Sequence, residues 1–317
     1  MEITLLKVHG SMNTFYLLDG PERTDYDQLT LKLAELDSTI DGLLAVLPSE
    51  TDHAKMRVFN RDGSEASMCG NGLRCVARYV CERDGLEEAK IETMKVSLYV
   101  KKEQTQEDGI AMYAVEIAPV SFALKDLPMS YEQNSEWLLK PLPFVSEEIA
   151  FSAVAVPNPH LIGIVPVAYQ NDDSHQKKWA EFFNGPNDYF SDGVNVSYLT
   201  KVENGIFVKT FERGVGFTNA CGTAMTASAL ISCLSGIVPY GDVCVYNPGG
   251  MVKCSVHKNG AKFELGLSGN ATYLSSHRFE WADKLEDSGF VFSEQFEEQS
   301  LYEQFIDKIS LNARQFV

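Results

Sequence analysis

The 317-residue chain has no apolar run approaching the about 18 residues needed to cross a bilayer, so no membrane span is expected. Its first residues, MEITLLKVHGSMNTFYLLDG, reach His9, Gly10 and Asn13 too early to contain the apolar core of a secretory leader. Basic residues are scarce: 27 Lys and Arg stand against 44 Asp and Glu, for a net charge of −17. That balance disfavours nucleic acid and anionic membrane as partners. None of the seven cysteines forms a CxxC pair, which argues against a structural zinc site, and no metal is expected. Reduced thiols in a cytoplasmic protein are the simplest reading of the odd count. No lysine context argues for pyridoxal phosphate, and no cofactor is expected.

What is present reads as two α/β units. Gly42–Leu47 and Arg57–Asn60 read as short strands, the second ending in the turn sequence Arg61-Asp-Gly-Ser64. Leu73, Val76, Ala77 and Val80 then share one face of a helix that ends near Gly85. Alternation returns from Lys90 to Ile117. Residues 119–143 are irregular, and the crossing between units is expected there. The scheme repeats, with strands near 153–156, 161–167, 194–199 and 206–210, a glycine-punctuated loop, a small-residue helix through Ala224–Ile231, and strands near 243–246, 251–256 and 262–267. The expected division is 1–125, 126–272 and an extension from 273 to 317 that carries no identifiable chemistry.

The most informative pattern is a pair of loop-to-helix junctions, Cys69-Gly70-Asn71 and Cys221-Gly222-Thr223, about 150 residues or one domain length apart. Each puts a cysteine, a glycine and a small polar residue at a predicted helix start. Free N–H groups and the helix dipole there stabilise anions, whether a thiolate or a bound carboxylate. In a duplicated fold the two thiols would face each other across the cleft between halves. One thiolate could then take a proton from a carbon next to a carboxylate while the opposite thiol returns one to the other face. Such a pair titrates as a coupled unit. Cys75, Cys81, Cys233, Cys244 and Cys254 read as small core hydrophobes.

Further stretches fit this reading: Val8-His-Gly-Ser-Met-Asn13, Arg57–Glu65, Met68–Cys75, Asn158-Pro-His160, Gly193-Val-Asn195, Phe211–Gly216, Asn219–Gly222 and Asn247-Pro-Gly-Gly250. With them the chain resembles the diaminopimelate epimerase family in order from residue 8 to about residue 273. The resemblance implies two similar halves, each a mixed sheet wrapped around a central helix, with the active site in the cleft. It implies a cofactor-independent epimerase that interconverts LL- and meso-diaminopimelate for lysine and peptidoglycan precursor synthesis, typically as a homodimer. Cys69 and Cys221 would be the acid/base pair. Gly70, Asn71, Gly222 and Thr223 would hold the reacting carboxylate through their backbone, and Glu212 the α-ammonium. Asn13, Asn60, Asn158, Asn195 and Arg213 would read the distant amino acid end, since asparagines supply donors and acceptors without charge and arginine binds carboxylate bidentately. His160 and Glu212 would tune the thiols.

Plainer roles compete. The asparagines could be turn residues, Glu212-Arg213 an exposed ion pair and His160 a structural histidine. Thr14, Phe217 and Asn219 depart from the family pattern beside the site and bear on substrate preference. The competing functions are an epimerase or racemase of proline, hydroxyproline or histidine, an isomerase of the phenazine-pathway type, and a binding protein switched by a Cys69–Cys221 disulfide.

Overall fold

The computed structural model describes the backbone of residues 2–104, 109–282 and 285–313, and the side chains of these apart from Leu285 and those beyond 308. The chain forms two compact units, Met1–Glu116 with Ser268–Phe305, and Ile117–Leu267 with Ile306–Val317.

In the first unit the strand Glu2–Gly10 turns sharply into Asn13–Asp19, which lies parallel to Gly42–Leu47. Ala54–Asn60 follows antiparallel, and Glu88–Glu92 lies parallel to that strand's start. Ser97–Lys102 and Met112–Glu116 complete this side, the alternation at 105–108 falling outside the described residues. The helix Gly70–Asp84 packs against several of these strands and buries nearly every residue from Gly70 to Cys81, so the sheet wraps it. It begins at Cys69, in extended backbone, and stops at Gly85, whose φ of 67° is the left-handed conformation glycine adopts without strain. A second core lies around Tyr16, Leu29, Leu33, Leu43 and Phe59, where the helix Tyr26–Leu36 contributes its Leu29/Leu33 face.

The segment expected as an extension belongs to this sheet. Thr272–Glu280 runs antiparallel to Glu2–Gly10, pairing Leu5 with His277, and Gly289–Gln295 is added beyond it. The helix Glu298–Ala313 follows, and its first turn is tied to the Cys69 helix through the Arg78–Glu298 ion pair.

The second unit repeats the order. Ser146–Val156 turns tightly into Asn158–Ile164, which lies parallel to Asn195–Val202. Gly205–Glu212 follows antiparallel, and Gly241–Asn247 lies parallel to its start. Gly250–Asn259 completes a hairpin with that strand. Between them runs the helix Gly222–Leu234, whose Ala, Ser and Thr side chains are small enough for burial on every side. Mixed sheets around a central helix, built twice with the same succession of parallel and antiparallel steps, make this an α/β fold of two similar halves.

Candidate functional site

Each central helix begins at one of the two cysteines. Cys69 has φ −140° and ψ 112°, and Cys221 has φ −118° and ψ 108°. Both therefore stand as N-caps, leaving the first helical N–H groups without intrahelical acceptors. At the first junction the Gly72 N–H donates to Cys69 Sγ at 3.4 Å. The carboxamide oxygen of Asn13 accepts from the same thiol at 3.5 Å. Its Nδ2 donates to Asp41 at 2.7 Å, which fixes the amide's orientation. A donor and an acceptor thus meet one sulfur, so both its charged and its neutral form have a partner. Gly70 and Asn71 are buried beside it, and the Asn71 Oδ1 is buried with no hydrogen-bond partner among the described residues. An orphaned acceptor of this kind is costly unless something fills it. Asn60 stands differently: its side chain donates to Ser64 across its own exposed turn.

The second junction is more enclosed. Cys221 is buried and makes no cap bond, its Sγ lying 3.6 Å from the Thr223 hydroxyl. Burial, and then the Glu212 carboxylate, push its thiol well above the ordinary range, so it rests protonated. Glu212 accepts from the Thr218 hydroxyl at 2.5 Å, and its own carboxyl is pushed up by burial. Glu212 is therefore coupled to Cys221. The loop before Cys221 is braced by the Asn247–Gly250 turn, where the Gly249 N–H donates to the Asn219 carbonyl at 2.9 Å. A Cβ on Gly249 would stand only 3.1 Å from that oxygen.

Four of the remaining expected residues form one chain of contacts in this unit. His160 Nε2 lies 3.0 Å from Asn158 Oδ1, and His160 sits in register with Asn195. Asn195 accepts from the Arg213 backbone N–H at 2.8 Å. The Arg213 guanidinium donates to the Asp192 carbonyl, and its stem passes Gly193, where a Cβ would meet it at 3.0 Å. No ion pair joins Glu212 to Arg213 among the described residues. His160 is fully buried and burial lowers its pKa to about 3, so it is neutral and donates to Asn158. Its described partners are Asn158 and the Val156 backbone, and neither is a thiol. Sequence reading passed over the Asn219 brace, whose only sign was the Asn-Pro-Gly-Gly string at 247–250.

The fold defines a class, that of α/β proteins built from two similar halves, each with a cysteine at the start of its central helix. A Bacillus anthracis phenazine biosynthesis protein of the PhzF family superposes with a TM-score of 0.65 at 16% identity, over 89% of this chain and 100% of that one. A probable proline racemase from Agrobacterium radiobacter gives 0.60 at 14%, over 90% and 94%. At such identities the likeness is one of fold. The profile of the family described as diaminopimelate epimerase matches residues 5–115 and 152–274. A Listeria welshimeri diaminopimelate epimerase is 42% identical over 97% of both chains, and one from Ligilactobacillus salivarius 43% identical over 96% of this chain and 99% of its own. The chain belongs to the diaminopimelate epimerase family, an isomerase family.

Proposed function

We propose that the protein interconverts LL- and meso-2,6-diaminopimelate by a two-base mechanism with Cys69 and Cys221 as the bases. The observation that carries this reading is the repeated N-cap cysteine, in a chain whose full-length relatives bear that enzyme's name. A two-base inversion needs one thiolate and one thiol. Burial and Glu212 keep Cys221 as the thiol, which leaves the base of the resting enzyme to Cys69. The Cys69 thiolate takes the α-proton, the electron pair spreads into the carboxylate, and the Cys221 thiol protonates the opposite face. Afterwards the two sulfurs have exchanged protonation states, ready for the reverse reaction.

The difficult step is charge build-up on a weakly acidic carbon. Preorganised N–H donors contribute most there, because they strengthen as the charge grows. Gly70, Asn71, Gly222 and Thr223 supply them, so no cofactor is needed to delocalise the carbanion. Glu212 would hold the α-ammonium. Asn13, Asn60, Asn158, Asn195 and Arg213 would bind the distant end. The reaction belongs in the cytoplasm, in lysine and peptidoglycan precursor supply, and the working form is a homodimer.

The test is incubation with LL-diaminopimelate in deuterated water under reducing conditions. Meso product carrying deuterium at one α-carbon is expected. Absence of both inversion and exchange would overturn the reading, and turnover of proline or hydroxyproline instead would reassign the substrate.

A further inference from the structure

The turn that carries Asn13 is held by a buried charge outside the acid/base pair. Arg74 lies on the Cys69 helix and its side chain is fully buried. Its Nη2 donates to the Ser11 hydroxyl at 2.9 Å and its Nε to the Asn270 carbonyl at 3.1 Å. Burying a guanidinium is expensive, and the expense is offset only where its hydrogen bonds are made in good geometry. The backbone has been kept clear for it. A Cβ on Gly269 would come within 2.9 Å of the Arg74 Cζ, and one on Gly10 within 3.0 Å of Nη2 and 2.7 Å of the Asn71 carbonyl.

The gripped turn is unusual. Ser11 and Met12 both have positive φ, 52° and 64°, a conformation that non-glycine residues adopt at a cost. Two hydrogen bonds from the turn's own backbone hold it there: Ser11 N–H to Asn270 Oδ1 at 2.8 Å, and Met12 N–H to His9 Nδ1 at 3.2 Å. For His9 to accept at Nδ1 its proton must sit on Nε2, which donates to Gln299 Oε1 at 2.9 Å. Burial lowers the His9 pKa to about 4, which keeps the ring in that neutral form. The next residue is Asn13, whose carboxamide oxygen meets Cys69 Sγ. One helix therefore holds the stretch Gly10–Asn13 at two points, by Arg74 and by Cys69.

We propose that Arg74, with Ser11 and Asn270, is a positioning residue that sets the Asn13 carboxamide against the Cys69 thiol and so sets that thiol's acidity. This rests on Cys69 being the working base, as argued above. The carboxamide oxygen stabilises S–H, whereas the Gly72 N–H stabilises the thiolate; releasing the turn removes the first influence and leaves the second. The charged and titratable groups described around this junction include Asp41, held by Asn13, Arg74 with His9 and Tyr302 beside it, Arg78, and Cys75, which burial pushes up to about 12 and so keeps protonated.

The experiment follows alkylation of Cys69 by iodoacetamide as a function of pH, read by mass spectrometry of its peptide in a Cys221→Ser background. It needs no substrate, so it is decided independently of which amino acid the enzyme epimerises. Asn13→Ala, Ser11→Ala and Arg74→Lys, the last preserving charge but lacking the planar fork, should each lower the apparent pKa by about half a unit or more. In the Asn13→Ala background, Ser11→Ala and Arg74→Lys should add nothing, because they act through that side chain. A shift from Ser11→Ala or Arg74→Lys that persists undiminished without Asn13 would overturn the proposal. So would no shift in Asn13→Ala, or none in a folded Ser11→Ala. If Arg74→Lys fails to fold, Ser11→Ala, which removes one hydroxyl from the same contact, decides the question.

Discussion

The two cysteine junctions share backbone conformation, helix position and the order of surrounding strands, yet their surroundings differ. Cys69 is half-buried, and its partners described above are the Gly72 N–H and the Asn13 carboxamide. Cys221 is buried beside a carboxylate. A duplicated scaffold has thus placed the same atom twice and given it two surroundings, one of which holds its thiol protonated. The proposed two-base inversion asks for such a difference, since one base must begin charged and the other neutral. Repetition supplies the geometry, and the environment of each copy supplies the asymmetry.

The sharpest way to break the comparison is to remove either sulfur. Cys69→Ala and Cys221→Ala should each lower turnover by about 10²- to 10⁴-fold, the usual worth of a positioned acid or base, as measured by steady-state assay. Full activity in either variant would end the two-base account. Next, Glu212→Gln should erase part of the asymmetry. Loss of the carboxylate lowers the Cys221 pKa, so its alkylation profile should move to lower pH, and turnover should fall by about tenfold if the α-ammonium loses its partner.

A subtler comparison uses two of the buried histidines, His9 in the first unit and His160 in the second. The His9 pKa is lowered to about 4 and that of His160 to about 3, both by burial. Between those values and the unfolded value of about 6.5 the unfolded chain binds more protons, so stability falls as pH falls through this window. Each histidine should contribute a slope of up to about 1.4 kcal/mol per pH unit, seen as a falling urea midpoint. The fall tied to His9 should be complete below about pH 4 and that of His160 below about pH 3, and a His9→Gln variant should show a flatter curve. The smallest effect is expected from Thr223→Ser, which keeps the backbone N–H; kcat/KM should stay within about twofold.

The central helices and most strands were legible because burial against a curved sheet imposes plain periodicities: Leu73, Val76, Ala77 and Val80 on one helix, and the alternation of Leu98 and Val100 on a strand, although Val96, which extends that alternation in the sequence, is exposed before the strand begins. The helix Tyr26–Leu36 was passed over although Tyr26, Leu29, Thr30 and Leu33 share a face, because Asp, Gln, Thr and Lys between them made the stretch look merely polar. Gly289–Gln295 is a strand added at the end of the sheet, with Val291 and Phe292 both exposed, so no alternation marks it. At the candidate site, the cysteines, Glu212 and the Asn195–Arg213 pair were readable from short motifs. The grip of Arg74 on Ser11 and Asn270 was not, because it joins groups 63 and 196 residues apart that carry no shared pattern.

The pairing of Glu2–Gly10 with Thr272–Glu280 has a consequence for biosynthesis. A ribosome delivers the first unit's strand Glu2–Gly10 long before Thr272–Glu280, its neighbour on one side. The second unit's strands and central helix, from Ser146 to Asn259, emerge as one uninterrupted stretch and can pair as they appear. The first unit's sheet is therefore closed only after that stretch of the second unit has been made. Until then its opening strand presents an unpaired edge, where the charged Glu2 and Lys7 oppose association with another nascent chain.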